Sequence, residues 1–204
     1  MPSQAKAIAS MGVNAIGVIG VKESPRFVNS YQRRKIFSTL RSYDQNLERV
    51  LVVADLDDSE FESLLKGDET PNVIQLHGDE TELRCNYLRK KYQQIKWWKA
   101  FRIRNQKDLI FLEKYKNNVD AILIDAWSSL AKGGTGERVP IDWLKGFKCE
   151  IPWWLAGGIS EEWVPKILKE VQPYGLDASS KLEVSPGIKD LKKVESLLKA
   201  IRKN

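Results

Sequence analysis

Short apolar runs and amphipathic stretches alternate along the chain. The runs Ala15–Val21, Val50–Ala54, Val73–His77, Lys96–Phe101, Ala121–Asp125, Trp153–Ala156 and Gly175–Ala178 predict seven strands. Helical spacing predicts helices over Ser3–Met11, Ser30–Ser42, Ser59–Leu65, Glu80–Tyr92, Gln106–Lys116, Ile141–Lys145, Glu161–Val171 and Lys189–Arg202. Cap chemistry marks several starts: Ser3, Asp58 or Ser59, Asp79 ahead of Glu80 and Glu82, and Ser160 ahead of Glu161 and Glu162. Strands that alternate with helices build a parallel sheet. Eight helices in this rhythm predict an α/β fold, a (β/α)8 TIM barrel, and 204 residues lies near the lower limit of about 200 for it. The chain opens on a helix, so the first β-strand of the barrel is expected to be absent from it. That would leave edges at the strands beginning at Ala15 and Gly175. A doubly wound open sheet is disfavoured, because no G-x-G-x-x-G follows the first strand.

Composition narrows the class. With 42% hydrophobic and 29% charged residues, one domain over residues 1–204 is expected. No stretch approaches the roughly 20 apolar residues of a membrane helix. The opening Met1-Pro2-Ser3-Gln4 has no basic region followed by an apolar core, which predicts a cytoplasmic protein. A net charge of +6 suits either an anionic small molecule or a nucleic acid. The densest basic stretch, Lys189 to Lys203, carries Leu191, Val194, Leu197, Leu198 and Ile201 at helical spacing, so its lysines read as a solvated face. No nucleic-acid or membrane partner is therefore expected, the chain is expected as a monomer or homodimer, and the expectation of a small phosphorylated substrate rests on the strand-end glycine and serine motifs and not on charge. Cys85, Cys149 and the single histidine, His77, lack metal-ligand spacing, which predicts two reduced thiols and no metal.

In a barrel of this kind the chemistry lies at the carboxyl ends of the strands. Those ends are polar here: Gly20 through Arg26, Asp55, Gln75 with His77, Arg102, Asp125, Gly157-Gly158, and Asp177 with Ser179-Ser180. A phosphate site after the last two strands uses backbone amides and a helix N-terminus. Leu155-Ala156-Gly157-Gly158-Ile159 and Asp177-Ala178-Ser179-Ser180 fit that role, since glycine admits the phosphate closely and serine donates hydroxyl protons. Each motif alone also reads as a tight turn with a helix cap.

These segments, taken in order, resemble the N-(5'-phosphoribosyl)anthranilate isomerases of tryptophan biosynthesis. The resemblance rests on Ala15-Ile16-Gly17-Val18, Ser24-Pro25-Arg26-Phe27-Val28, Val73-Ile74-Gln75-Leu76-His77-Gly78 and Ile124-Asp125. It continues through Gly133-Gly134-Thr135-Gly136, Asp142-Trp143, the two phosphate motifs, and Leu182-Glu183-Val184-Ser185-Pro186-Gly187-Ile188-Lys189-Asp190. It implies an Amadori rearrangement, in which an aminoaldose becomes an aminoketose without cofactor or metal. By the same resemblance Asp125 is the general acid, and burial behind Ala121-Ile122-Leu123-Ile124 would keep its proton available near neutral pH. Arg26 is expected on the anthranilate carboxylate, which a guanidinium takes bidentately, and Asp177 on a ribose hydroxyl. Gly157, Gly158, Ser179 and Ser180 are expected to form the phosphate cradle. His77 is read as a substrate-binding residue or a structural one.

The sequence departs from the family in two places. The family's general base is a cysteine in a Lys-x-Cys-Gly-Ile/Leu-Thr strand ahead of the opening helix, and no such segment occurs among the 204 residues. Cys85, inside a helical pattern, and Cys149, at the amino end of a strand, are not expected to replace it. A misassigned start codon or a truncated chain would each account for this, and the alternative function is an impaired or inert phosphate-binding barrel. The second departure is Lys181, where the family often has glycine.

Overall fold

A computed structural model describes residues 1–67, 69–126 and 137–203. Seven strands form one parallel sheet in sequence order: β1 (Ala15–Ile19), β2 (Glu48–Val53), β3 (Val73–Leu76), β4 (Lys96–Ile103), β5 (Ala121–Ala126), β6 (Trp153–Leu155) and β7 (Gly175–Leu176). The sheet curls into a half-barrel with β1 and β7 at its ends. Helices α1 (Pro2–Ala9), α2 (Ser30–Tyr43), α3 (Asp58–Leu64), α4 (Glu82–Lys91), α5 (Ile141–Leu144), α6 (Val164–Glu170) and α7 (Leu191–Lys203) cover its outside. The predicted Gln106–Lys116 helix is a 3₁₀ helix over Gln106–Tyr115.

Alternation along each strand sorts the side chains. Outward positions such as Leu51, Ile74, Trp97 and Ile122 pack with helical Phe37, Leu40 and Leu88 in the larger core cluster. Inward positions Val50, Val73, Trp98, Ala100, Ala121, Leu123, Trp154 and Ala156 form a second cluster on the concave face. Trp98 of β4 lies beside Ala121 of β5 in register, and the small alanine lets the Trp98 ring reach Trp154 of β6, with ring centroids 4.9 Å apart. Two indoles thus fill the floor on which the strand-end residues stand.

The predicted caps shift by a few residues for identifiable reasons. Helix α3 is capped by Asp57 rather than Asp58 or Ser59, because Asp57 lies three residues before Glu60 and the two form a reciprocal capping box. Thr81, not Asp79, caps α4 by accepting from the Arg84 N–H. Ser3 caps nothing: α1 starts at Pro2 behind Met1, with no side-chain cap. The Ser160 carbonyl accepts from the Trp163 and Val164 N–H groups in a turn, so α6 starts at Val164 instead of Glu161. Lys189 is not helical. It belongs to an antiparallel hairpin of β8 (Glu183–Ser185) and β9 (Ile188–Lys189), whose turn uses Gly187 at φ +81°, and the Asp190 carboxylate accepts from the Lys192 N–H as α7 begins. Gly133-Gly134-Thr135-Gly136 lies outside the described residues.

Gly175 closes the packing of this floor. A Cβ placed there would lie 2.5 Å from two ring atoms of Trp154, so Gly175→Ala forces the indole to move. Denaturant unfolding should show a loss of about 1–3 kcal/mol for this change. Gly17→Ala, on β1 with nothing within 4 Å of the added methyl, should stay within about 0.5 kcal/mol of the parent.

Candidate active site at the strand ends

The two-residue period of the strands determines which polar groups enter the site. Asp125 is in phase with inward Ala121 and Leu123, His77 and Gln75 with inward Val73, and Arg102 with Trp98 and Ala100. All four leave the apolar floor at the carboxyl end of the sheet.

Asp125 is 6% exposed. Burial raises its carboxyl to about 7, and the charge of Asp177 adds to that, against the Ala126 N–H and the Arg102 charge. The Ala126 N–H donates to Oδ1 at 2.8 Å, so one oxygen is held while the acid can still carry a proton. Oδ2 lies 3.8 Å from Nε2 of His77. On the other side of that ring, Nδ1 lies 3.0 Å from the Gln75 amide nitrogen. With the amide donating to Nδ1, the proton of the neutral ring sits on Nε2, the atom turned to Asp125.

Glycine is required beside the acid. Gly157 has φ +86°, and a Cβ there would stand 2.9 Å from Asp125 Oδ1 and 2.7 Å from the Glu137 carbonyl. Gly158 follows at φ +61°. β6 and β7 pair Leu155 with Leu176, and the Asp177 N–H donates to Leu155 O at 2.8 Å. Gly157-Gly158 and Ser179-Ser180 therefore leave neighbouring strands at the same end. Asp177 is solvent-exposed, yet the protein packed around its carboxyl raises its pKa, with Lys189 opposing; contact with water screens part of this effect.

Arg26 lies on the turn that follows β1. The Val28 N–H donates to Ile19 O at 2.9 Å and the Phe27 N–H to Ser24 O at 3.0 Å, folding the turn back over the strand end. Its guanidinium donates to Glu183, from Nε at 3.0 Å and from Nη2 at 2.7 Å. Lys181 is exposed beside Ser180. Cys85 is fully buried in the outer core, where burial pushes its thiol up to about 12. Cys149 precedes β6 at the amino end of the sheet, opposite the strand ends.

Three supporting groups escape a reading of the sequence alone. Glu183 is one. Arg138 is another: its Nε donates to Gly158 O and its Nη2 to Ser160 Oγ, each at 3.3 Å, while the guanidinium stacks 4.7 Å from the Trp163 ring centre. The third is the buried Lys99–Glu80 pair, 3.2 Å apart. Lys99 Nζ donates to the Gly78 and Ala100 carbonyls at 2.9 Å, and Glu80 accepts from the Asp55 N–H at 2.9 Å and the Gly78 N–H at 3.0 Å. This pair secures the loops after β2 and β3, next to His77. Arg138 and Lys99 read as surface charges in isolation; only the fold brings their partners to them.

Among the described residues no group of three or more His, Cys, Asp or Glu is arranged to hold a metal ion, and no helix is long and apolar enough to cross a membrane. The family model for N-(5'-phosphoribosyl)anthranilate (PRA) isomerase matches residues 1–200. The N-(5'-phosphoribosyl)anthranilate isomerase of Synechococcus elongatus is 39% identical over 203 residues, covering 100% of this chain and 93% of the relative. The crystal structure of phosphoribosyl anthranilate isomerase from Thermotoga maritima superposes with a TM-score of 0.86 at 23% identity, over 100% of this chain and 95% of that one. A phosphoribosyl anthranilate isomerase in complex with reduced 1-(o-carboxyphenylamino)-1-deoxyribulose 5-phosphate superposes with a TM-score of 0.79 at 24% identity, over 100% and 95%. On the whole-chain family match and the 39% identity, this chain belongs to the N-(5'-phosphoribosyl)anthranilate isomerase family.

Proposed function

We propose that the chain is an aldose–ketose type isomerase of tryptophan biosynthesis, converting N-(5'-phosphoribosyl)anthranilate to the carboxyphenylamino-deoxyribulose phosphate. We place it in the cytoplasm as one barrel domain, a monomer or homodimer. The observation that carries the reading is Asp125: a buried carboxyl, raised to about 7, at the centre of a polar strand-end cluster. Such an acid holds its proton near neutral pH and can give it up in the same range.

In the proposed reaction Asp125 protonates the ring oxygen of the ribosylamine. The ring carbon–oxygen bond breaks, and the nitrogen lone pair forms a C=N bond. The proton on the adjacent carbon then passes to solvent to give the enolamine, and a proton added at the former aldehyde carbon, with loss of the enol hydroxyl proton that recharges Asp125, gives the aminoketose. Arg26 takes the anthranilate carboxylate, Asp177 a ribose hydroxyl, and Gly157, Gly158, Ser179 and Ser180 the phosphate. Gly157, beside Asp125, sets the phosphate loop against the acid. His77, within 3.8 Å of Asp125, faces the same substrate. A second reading, a barrel that binds this ligand without turning it over, is favoured by one observation: neither Cys85 nor Cys149 stands at the strand ends. Turnover of phosphoribosylanthranilate separates the two, because the inert barrel retains affinity and releases no product.

Asp125→Asn keeps the size of the side chain and removes the proton it donates. Turnover should fall by about 10²–10⁴ while the fold persists, and activity within threefold of the parent would sink the assignment. The parent rate should also fall as pH rises through about 7, where the acid is lost. The same substitution has a stability signature of known sign. The folded pKa lies above the ordinary 3.8, so the folded chain binds a proton that the unfolded chain has released, and stability declines as pH rises from about 4 to about 7. Asp125→Asn removes that decline. Thermal melts should show the variant more stable than the parent at pH 8, by up to the order of 4 kcal/mol, and the gap closing below pH 4.

For Arg26→Ala the expected signature is kinetic. KM for the anthranilate-bearing substrate should rise about tenfold or more with a smaller change in kcat, as loss of a ground-state contact does. An unchanged KM would reject this role.

A further inference from the structure

The segment Leu182 to Asp190 is left without a role by the reaction above, yet it forms the β8–β9 hairpin against the site. Glu183, with its side chain 5% exposed, faces two cations. Its carboxylate accepts from Arg26 Nε and Nη2, from Lys189 Nζ at 3.0 Å and from the Gly187 N–H at 3.1 Å. Lys189 Nζ also donates to Ser179 O at 3.0 Å and Oγ at 3.3 Å. One carboxylate thus joins the turn after β1 to the loop after β7. The hairpin is itself anchored: the Gln4 side chain donates to Gly187 O at 3.2 Å and accepts from the Lys189 N–H at 2.8 Å.

This arrangement differs from an ordinary surface ion pair, which contributes little and leaves its arginine mobile. Glu183 occupies the Nε–Nη2 edge of the guanidinium, so the direction of the opposite Nη1–Nη2 edge is set. The charge balance also matters. One carboxylate against two cations leaves the trio at +1, so Glu183 aims Arg26 without cancelling its pull on an anion. Burial works to raise the Glu183 carboxyl, but the bonds from Arg26 and Lys189 outweigh it and hold it ionised, at about 2.

We propose that Glu183 is a positioning residue that holds Arg26 side-on, so that its free Nη edge meets the aromatic carboxylate of the substrate, with Lys189 as the balancing cation that ties this clamp to Ser179. The proposal rests on the reading of Arg26 as the carboxylate ligand.

The test compares two ligands, reduced 1-(o-carboxyphenylamino)-1-deoxyribulose 5-phosphate and the same compound without its ring carboxylate, by calorimetric titration. The parent chain should prefer the carboxylated compound by tenfold or more, and Arg26→Ala should abolish the preference. Glu183→Gln should reduce it at least fivefold while affinity for the compound without the carboxylate stays within threefold. If Arg26→Ala keeps the preference, the reading of Arg26 itself fails. If Arg26→Ala loses it and a folded Glu183→Gln keeps it within twofold, only the positioning role of Glu183 is overturned. Nitrogen NMR of the unsubstituted chain serves where Glu183→Gln does not fold. The Arg26 Nε–H signal should stay in place when the carboxylated compound is added, while the Nη signals move. An Nε–H signal that moves with them, as release from Glu183 would require, overturns the proposal.

Discussion

The concave face of a curled parallel sheet admits only what its alternating positions supply, and the site depends on that constraint. Val50, Val73, Trp98, Ala121, Leu123 and Trp154 fill the interior with apolar bulk. The next inward position toward the carboxyl end is where a polar side chain can first reach open space. Asp125 and Arg102, paired in register, occupy that level because each is in phase with the apolar residues below it, while His77 stands one inward position lower, above the polar Gln75. The same floor that excludes water beneath Asp125 is what raises its carboxyl. Packing and acid strength are here one property of the sheet.

Much of this is legible in the sequence. Ala121-Ile122-Leu123-Ile124 ahead of Asp125 announces both a buried strand and an acid at its end, and the glycine pair after β6 announces a backbone that must turn with positive φ. The cap positions are less legible, since Asp57, Asp58 and Ser59 all have capping chemistry and only the reciprocal bond with Glu60 selects the first. The hairpin over Glu183–Lys189 is hidden for another reason. Lysines continue past Lys189 into a true amphipathic helix, and a helical period extended backwards absorbs a strand of two residues. The bonds from Arg138 to Gly158 O and from Lys99 to Gly78 O cross 20 residues or more to backbone carbonyls, and such partners have no side-chain signature to read.

Charge is divided across the site in a way that suits an anion with two ends. Near Asp125 the acids crowd: the charge of Asp177 adds to burial in disfavouring ionisation of Asp125, so that carboxyl keeps its proton near neutral pH. Around Arg26 the cations exceed the anions, with Glu183 set between Arg26 and Lys189. An acid placed among the cations would ionise and lose its proton near neutral pH, while an arginine against Asp125 would pull that carboxyl back toward 4. Keeping the two groups on different strands, with Arg102 directed to Asp79 at 3.0 Å instead of to its register partner Asp125, preserves both functions.

Lys189 connects these two regions. Its ammonium touches Glu183 on one side and Ser179 on the other, and its charge lowers the carboxyl of the exposed Asp177 against the effect of the protein packed beside it. Burial in turn disfavours the ammonium itself, and the bond to Glu183 opposes that. A neutral lysine would leave Glu183 with one cation and Asp177 with a weaker counter-charge, so both ends of the site would lose part of their support together. The lysine that a helical reading assigns to solvent is therefore the group through which the carboxylate clamp and the loop after β7 share one electrostatic balance.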